Sequence, residues 1–432
     1  MGLRMMPDTD EGRPYLRRIV DDELDELLPQ LAAVLLDGPK GVGKTSTALQ
    51  RSQPVRRLDR SGERSVLEAD PRVIARDQPP VLLDEWQRVP ELWDTVRDLV
   101  DHDHAAGRFL LTGSPPGPDL HSGAARIATV RVRPLVLSER GVGTPTVSFR
   151  ELLGGQRPSV GGRSALVLGD YVDEIMASGF PGMRHLTGRP LVAQLDGYLD
   201  RIVDHELREA GFVLRRPAAV RAWMAAYAAA TATTASWETI RDAASAGHDV
   251  KPSRITTNRY SDFLRSLRIL DPIDAWIPTS NYLGRLGSTP KHHLVDPALA
   301  VRLVGCTRGH LLRGGDGSPT HARDGTYLGA LFESLVALTV RTYAQAAAAR
   351  TFHLRDRSGR HEVDFIVEHD GGVLALEAKL GATAESRDVR HLIWLAEALG
   401  DRLTDMVVVT TGPEAYRRND GVAVIPLGLL GA

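Results

Sequence analysis

Apolar positions along the chain fall into three regimes. In the first, short continuous apolar runs at 32–37 (AAVLLD), 81–84 (VLLD) and 109–112 (FLLT) end in polar or glycine positions, with helical material between them. Such runs predict strands of a parallel sheet buried on both faces, and their alternation with helices predicts an α/β domain. The run at 131–137 (RVRPLVL) predicts an edge strand, because Pro134 lacks the N–H that a central strand needs. Loop-forming GVGTPT at 141–146 and GGQRPSVGG at 154–162 close this regime.

From 166 to 304 the pattern is mainly helical. Residues 236–244 (SWETIRDAA) and 252–267 (PSRITTNRYSDFLRSL) predict two helices joined by a loop, followed by strand-like 269–277 and a short strand near 293–295. That order suits a winged helix. RGGDGSPT at 313–320 predicts a linker. The third regime offers a helix at 328–343, a hairpin, a helix near 387–399, and strands at 406–410 and 422–426. A chain of 432 residues exceeds one compact core, and the expected domains are 1–150, 165–310 and 321–432.

The hairpin reads EVDFIVEHDGGVLALEAK over 362–379. Asp370-Gly371 between two alternating runs predicts a two-residue turn, which pairs His369 with Gly372 and Glu368 with Val373. Counting outward sets Asp364 opposite Glu377 and Glu362 opposite Lys379. Val363, Phe365, Val367, Leu374, Leu376 and Ala378 then share an apolar face, and Glu362, Asp364, Glu377 and Lys379 share the other. Opposed carboxylates cost a few tenths to about 1 kcal/mol, which a nearby cation would remove. A bulge at Gly372 would shift this pairing by one residue.

Composition adds bounds. An apolar fraction of 42% with 25% charged residues is that of an ordinary soluble protein. A net charge of −2 argues against a strongly basic nucleic-acid binder and leaves room for a local basic patch. Lys251, Arg254, Arg259, Arg265 and Arg268 around the second predicted helix of the winged-helix candidate are either such a patch or a solvated helix face. The single cysteine, Cys306, excludes an intrachain disulfide framework and fits a reducing cytoplasm. No stretch approaches the roughly 20 apolar residues of a membrane span, and the polar start lacks an apolar signal segment. The expectation is a cytoplasmic protein without a membrane partner.

Chemistry enters first at Gly38-Pro39-Lys40-Gly41-Val42-Gly43-Lys44-Thr45, which satisfies G-x-x-x-x-G-K-[ST] between an apolar strand and a helix. Glycines let the backbone N–H groups wrap a phosphate, Lys44 supplies positive charge, and Thr45, followed by Ser46, opens the helix with a hydroxyl for Mg²⁺. Asp84 and Glu85 end the VLLD strand; Asp84 would hold Mg²⁺ through water and Glu85 would polarise the attacking water. Thr112 and Ser114 end the next strand and are candidates to sense the γ-phosphate. Arg126 is a candidate charge-stabilising arginine acting on a neighbouring subunit's site, which implies a homo-oligomer. The expected cofactors are ATP and Mg²⁺.

GPKGVGKT, VLLDE, LLTGS, the ARI…VRPLVLSE run and HLVDPALA together resemble the bacterial and archaeal AAA-superfamily ATPases that carry a poorly characterised C-terminal module. The resemblance spans nearly the whole chain. It implies a winged helix followed by a restriction-endonuclease-like α/β domain. Such domains use a D…(D/E)-x-K pattern, which Asp364 and Glu377-Ala378-Lys379 match, with Glu333 matching an acid contributed by the first helix. Asp364, Glu377 and Glu333 would hold Mg²⁺, and Lys379 would orient the attacking hydroxide. Glu362 is placed to pair with Lys379. Three readings stay open: an ATPase coupled to a nuclease-like domain acting on nucleic acid, DNA ahead of RNA; a nucleotide-controlled DNA-binding regulator or protein-partner switch that cuts nothing; or chiefly a slow ATPase scaffold for a protein partner.

Overall fold

The computed structural model describes residues 14–113, 125–207, 217–246, 252–277, 289–312, 324–356 and 359–432. The chain divides into two compact units, one of Met1–Arg133 with Phe180–Gly182 and Phe263–Arg268, the other of Pro134–Gly179, Met183–Asp262 and Ile269–Ala432. Ser114, Lys251 and the expected linker at 313–320 lie outside the described residues.

Five strands build the first unit: β1 (Ala33–Asp37), β2 (Val55–Arg57), β3 (Val81–Asp84), β4 (Phe109–Gly113) and β5 (Ile127–Arg131). Their order is β2-β3-β4-β1-β5, and every pairing is parallel. β1, β3 and β4 are buried at every position, as their unbroken apolar runs predict. Leu92, Trp93, Val96 and Val100 recur along the helix Glu91–His102 and pack with Trp86 and Phe109. Because all five strands run the same way, their C-terminal ends share one rim, the place where an open parallel sheet offers a binding crevice. The edge strand is Ile127–Arg131 rather than 131–137, so Pro134 stands beyond the sheet instead of within it.

A seven-stranded mixed sheet anchors the second unit. Its members are β7 (Gly162–Arg163), β8 (Arg350–Arg355), β9 (Glu362–His369), β10 (Gly372–Lys379), β11 (Leu403–Thr410), β12 (Glu414–Arg417) and β13 (Ala423–Pro426), in the order β7-β12-β13-β11-β10-β9-β8. Residues Val147–Ser148 (β6) and Leu430–Gly431 (β14) form a separate short pair. The helix Ser386–Leu399 sets Val389, Leu392 and Leu395 against Ile366, Val373, Ala375 and Val408. The hairpin register is the predicted one, His369 with Gly372 through Phe365 with Leu376. Asp370 and Gly371 both take positive φ, 47° and 82°, as a type I′ turn requires.

The hairpin is not at a sheet edge, since β9 and β10 lie inside the sheet, and Asp364 and Glu377 are 7% and 5% exposed. Nor does its alternation run unbroken: against β8, Phe352 pairs with Ile366 while Leu354 pairs with Val363, so β9 carries an extra residue there. This irregularity brings Val363 and Ile366 into one apolar cluster and frees Asp364 from strict alternation. The pairing stays in register at Gly372, where a Cβ would come within 2.6 Å of Thr404 Cγ2.

Between these sheets in sequence, the helices Trp237–Ser245 and Arg254–Ser266 are followed by antiparallel bridges pairing Leu270 with Leu294 and Ile273 with Lys291. Ser236 caps the first by accepting from Thr239 N–H. Asp296 is buried and caps Pro297–Val304, accepting from Ala298 N–H, Ser178 Oγ and Gly179 N–H. Among the described residues no helix is long and apolar enough to cross a membrane.

Candidate functional site

β1 delivers the chain into the glycine-rich loop at the C-terminal rim of the first sheet. A Cβ on Gly38 would lie 2.3 Å from the Val132 carbonyl oxygen, so only glycine fits there. Gly41 and Gly43 turn the loop with φ of 78° and 97°. Lys44 opens the helix Lys44–Leu49, is buried, and donates to the Gly38 and Pro39 carbonyls at 2.7 and 3.1 Å. Burial pushes its ammonium down to about 8, and Glu85 and Asp37 only partly offset this. Lys40 is exposed, and Val42 is buried.

Three elements converge on one carboxylate. Thr45 Oγ1 donates to Asp84 Oδ1 at 2.7 Å, and Thr112 Oγ1 donates to the same oxygen. The strand register explains this, since Asp84 pairs with Thr112 between β3 and β4. Thr45 and Asp84 are the oxygen ligands that could hold Mg²⁺, the hydroxyl directly and the carboxylate directly or through water. Ser46 follows Thr45 in the helix, and its carbonyl accepts from Gln50.

Glu85 takes left-handed backbone angles, φ 58° and ψ 44°, a strained state for a residue with a Cβ. Its carboxylate accepts from Gln87 Nε2 at 2.7 Å. A Cβ on Gly113 would meet Gln87 Oε1 at 2.0 Å, so the glycine of LLTGS leaves room for this clamp. Sequence reading missed Gln87, although a polar residue two beyond the acid was its visible trace. It also missed Arg18, which donates to the Val42 carbonyl at 2.9 Å, and Tyr15, whose hydroxyl meets Asp21 and Thr47 at 2.8 and 3.0 Å.

The arginine candidate sits elsewhere. Arg126 precedes Ile127, which pairs with Ala33 at the start of β1. This is the rim away from the glycine-rich loop, and there Arg126 binds Asp101 at 2.7 Å. Arg131 occupies the loop-side rim, in register with Asp37 and 3.5 Å from its carboxylate.

The second unit gathers its carboxylates around an unforeseen cation. Lys291 is fully buried, with Nζ 2.9 Å from Glu333, 2.9 Å from Asp364 and 3.4 Å from Glu362. Asp364 also accepts from Ala378 N–H at 2.9 Å, and Lys379 pairs with Glu377 at 3.1 Å. The expected Glu362–Lys379 pairing is replaced: Glu362 turns to Lys291 and, at 3.9 Å, to Arg355. Burial opposes the Lys291 charge, but Asp364 and Glu333 hold it above the ordinary lysine range. Burial and repulsion from Asp364 push Glu333 up to about 8 and Glu377 well above the usual carboxylate range. Asp364 thus joins two groups: Glu333 and Glu362 meet it around the Lys291 ammonium, while Glu377 stands beside it paired with Lys379. Among the described residues no group of three or more His, Cys, Asp or Glu side chains is disposed to hold a metal ion.

Comparison with known proteins finds three matched stretches. Residues 30–140 match an AAA domain family. Residues 168–309 and 328–430 match two domains of unknown function, DUF8612 and DUF4143. Uncharacterized proteins of Mycobacterium bovis and Mycobacterium tuberculosis are each 27% identical over 421 residues, covering 95% of this chain and 83% of the relative. A Walker-type ATPase of Pyrococcus abyssi is 18% identical with a TM-score of 0.40, over 70% of this chain and 99% of that one. The first unit therefore carries an AAA-type P-loop domain, and family match and site geometry together support ATPase activity.

Proposed function

We propose that the chain is an ATP-driven switch whose C-terminal domain engages nucleic acid, DNA ahead of RNA. The observation that carries the first part is the meeting of Lys44, Thr45, Asp84 and Thr112 beside a clamped Glu85. In this reading the loop N–H groups and Lys44 bind the β- and γ-phosphates. Thr45 and Asp84 hold Mg²⁺, which supplies charge neutralisation on the phosphates. Thr112 stands where it reports the γ-phosphate to Asp84. Glu85, oriented by Gln87, polarises the attacking water. Steady-state ATP hydrolysis tests this: wild type turns over, Glu85→Gln binds ATP and stalls, and turnover retained in Lys44→Ala removes the assignment.

The nucleic-acid part is supported by the D…E-x-K order of Asp364, Glu377 and Lys379 on β9 and β10, and by the helix, helix, paired-strand order from 237 to 295, which suits a winged helix. Lys291 at the centre of the carboxylates favours a switch over a nuclease, because the place of a divalent ion is taken. Wild-type protein is expected to bind DNA without cutting it, in Mg²⁺, with or without ATP. Cleavage of DNA or RNA by wild type that Asp364→Ala abolishes overturns the switch in favour of a nuclease.

A further inference from the structure

We infer that Lys291 is a built-in cation that occupies the C-terminal carboxylate cluster and closes it to divalent metal ions. The inference rests on reading Glu333 and Asp364 as metal-type carboxylates, as in the proposed function. An ammonium has three N–H donors, and three carboxylates surround Nζ at 2.9, 2.9 and 3.4 Å. Mg²⁺ binds oxygens at about 2.0–2.1 Å and demands near-octahedral surroundings. It cannot share a pocket whose centre is a lysine nitrogen, so either cation excludes the other.

The lysine is held from behind as well. Its own N–H and C=O exchange hydrogen bonds with Ile273 at 2.8 and 2.9 Å. The strand carrying Ile273 runs on to β8, where His353 N–H donates to Asp274 O at 3.0 Å and Trp276 N–H donates to His353 O at 2.6 Å. Trp276 Nε1 donates to Glu368 Oε1 at 2.6 Å, on β9 itself. The plug is therefore tied to the sheet that carries the carboxylates.

Withdrawing Lys291 alone would strip the buried Glu333 and Asp364 of the cation they touch, the costliest way to break a buried ion pair. Departure becomes favourable only when another cation enters.

The test uses full-length, nucleotide-free protein and Mn²⁺ alone, with bound ion counted by electron paramagnetic resonance. Wild type is expected to show no Asp364-dependent Mn²⁺ site. Lys291→Met, which keeps length and drops charge, is expected to gain one, at least about tenfold tighter than any wild-type binding, and Lys291→Met with Asp364→Asn to lose it. Should Lys291→Met fold poorly, Mn²⁺ is expected to raise its melting temperature while leaving wild type unmoved. An Asp364-dependent Mn²⁺ site in wild type overturns the plug. A folded Lys291→Met without such a site, or an unfolded one that Mn²⁺ does not rescue, overturns the metal-type reading and the inference with it.

Discussion

The two units of the chain each bury a lysine, and the two lysines are opposites. Lys44 donates to the neutral carbonyls of Gly38 and Pro39, so burial dominates and its ammonium is pushed down to about 8. Lys291 is more deeply buried yet held above its ordinary range, because its partners are the carboxylates of Asp364 and Glu333. Burial alone does not decide the fate of such a charge; the sign of what surrounds it does. Lys44 has its charge left over for an incoming polyphosphate, whereas Lys291 has spent its charge inside the protein.

This contrast yields a ranking that mutation can break. Lys291→Ala leaves Glu333, Glu362 and Asp364 around an empty centre and is expected to cost roughly 3–5 kcal/mol of stability, read from urea or thermal unfolding. Adding Asp364→Asn should return part of it. Lys44→Ala is expected to shift stability by no more than about 1 kcal/mol, since it removes a buried charge without an ion partner, while ATP turnover falls roughly 100- to 1000-fold. If Lys44→Ala proved the more destabilising, the comparison would fail. Gln87→Ala frees Glu85, and turnover should drop roughly ten- to a hundredfold with ATP affinity unchanged, a split between kcat and KM that a loss of folding would not give. Smallest is Arg355→Ala: its ion pair with Glu362 is 3.9 Å long and half exposed, so unfolding should move by less than about 1 kcal/mol.

Much of the first unit was legible because strands buried on both faces are written as short apolar runs, and VLLD and FLLT are such runs. Asp370-Gly371 made the hairpin register legible down to the pairing of Phe365 with Leu376. What escaped was what depends on distant chain. Lys291 reaches Asp364 across 73 residues, and in KHHLVD nothing marks it as buried. The extra residue in β9 shows only against β8, and the edge strand moved to Ile127–Arg131 because pairing with β1, rather than apolar content, decides where an edge strand lies. Arg131 and Arg126 are both arginines flanking one strand; only its direction tells which faces the loop.

β8 ends the seven-stranded sheet, and its outer side meets the segment around Ala275 through a parallel bridge to His353. An uncovered edge of this kind is a template for another strand, in aggregation or in recognition of an extended peptide. The segment at 274–276 that shields this edge leads back to Ile273, the bridge partner of Lys291, and so also keeps the sheet monogamous. Any state in which it lifts away presents the backbone of Arg350–Arg355 to the first extended chain it meets, and faster amide exchange in those six residues would be its earliest sign.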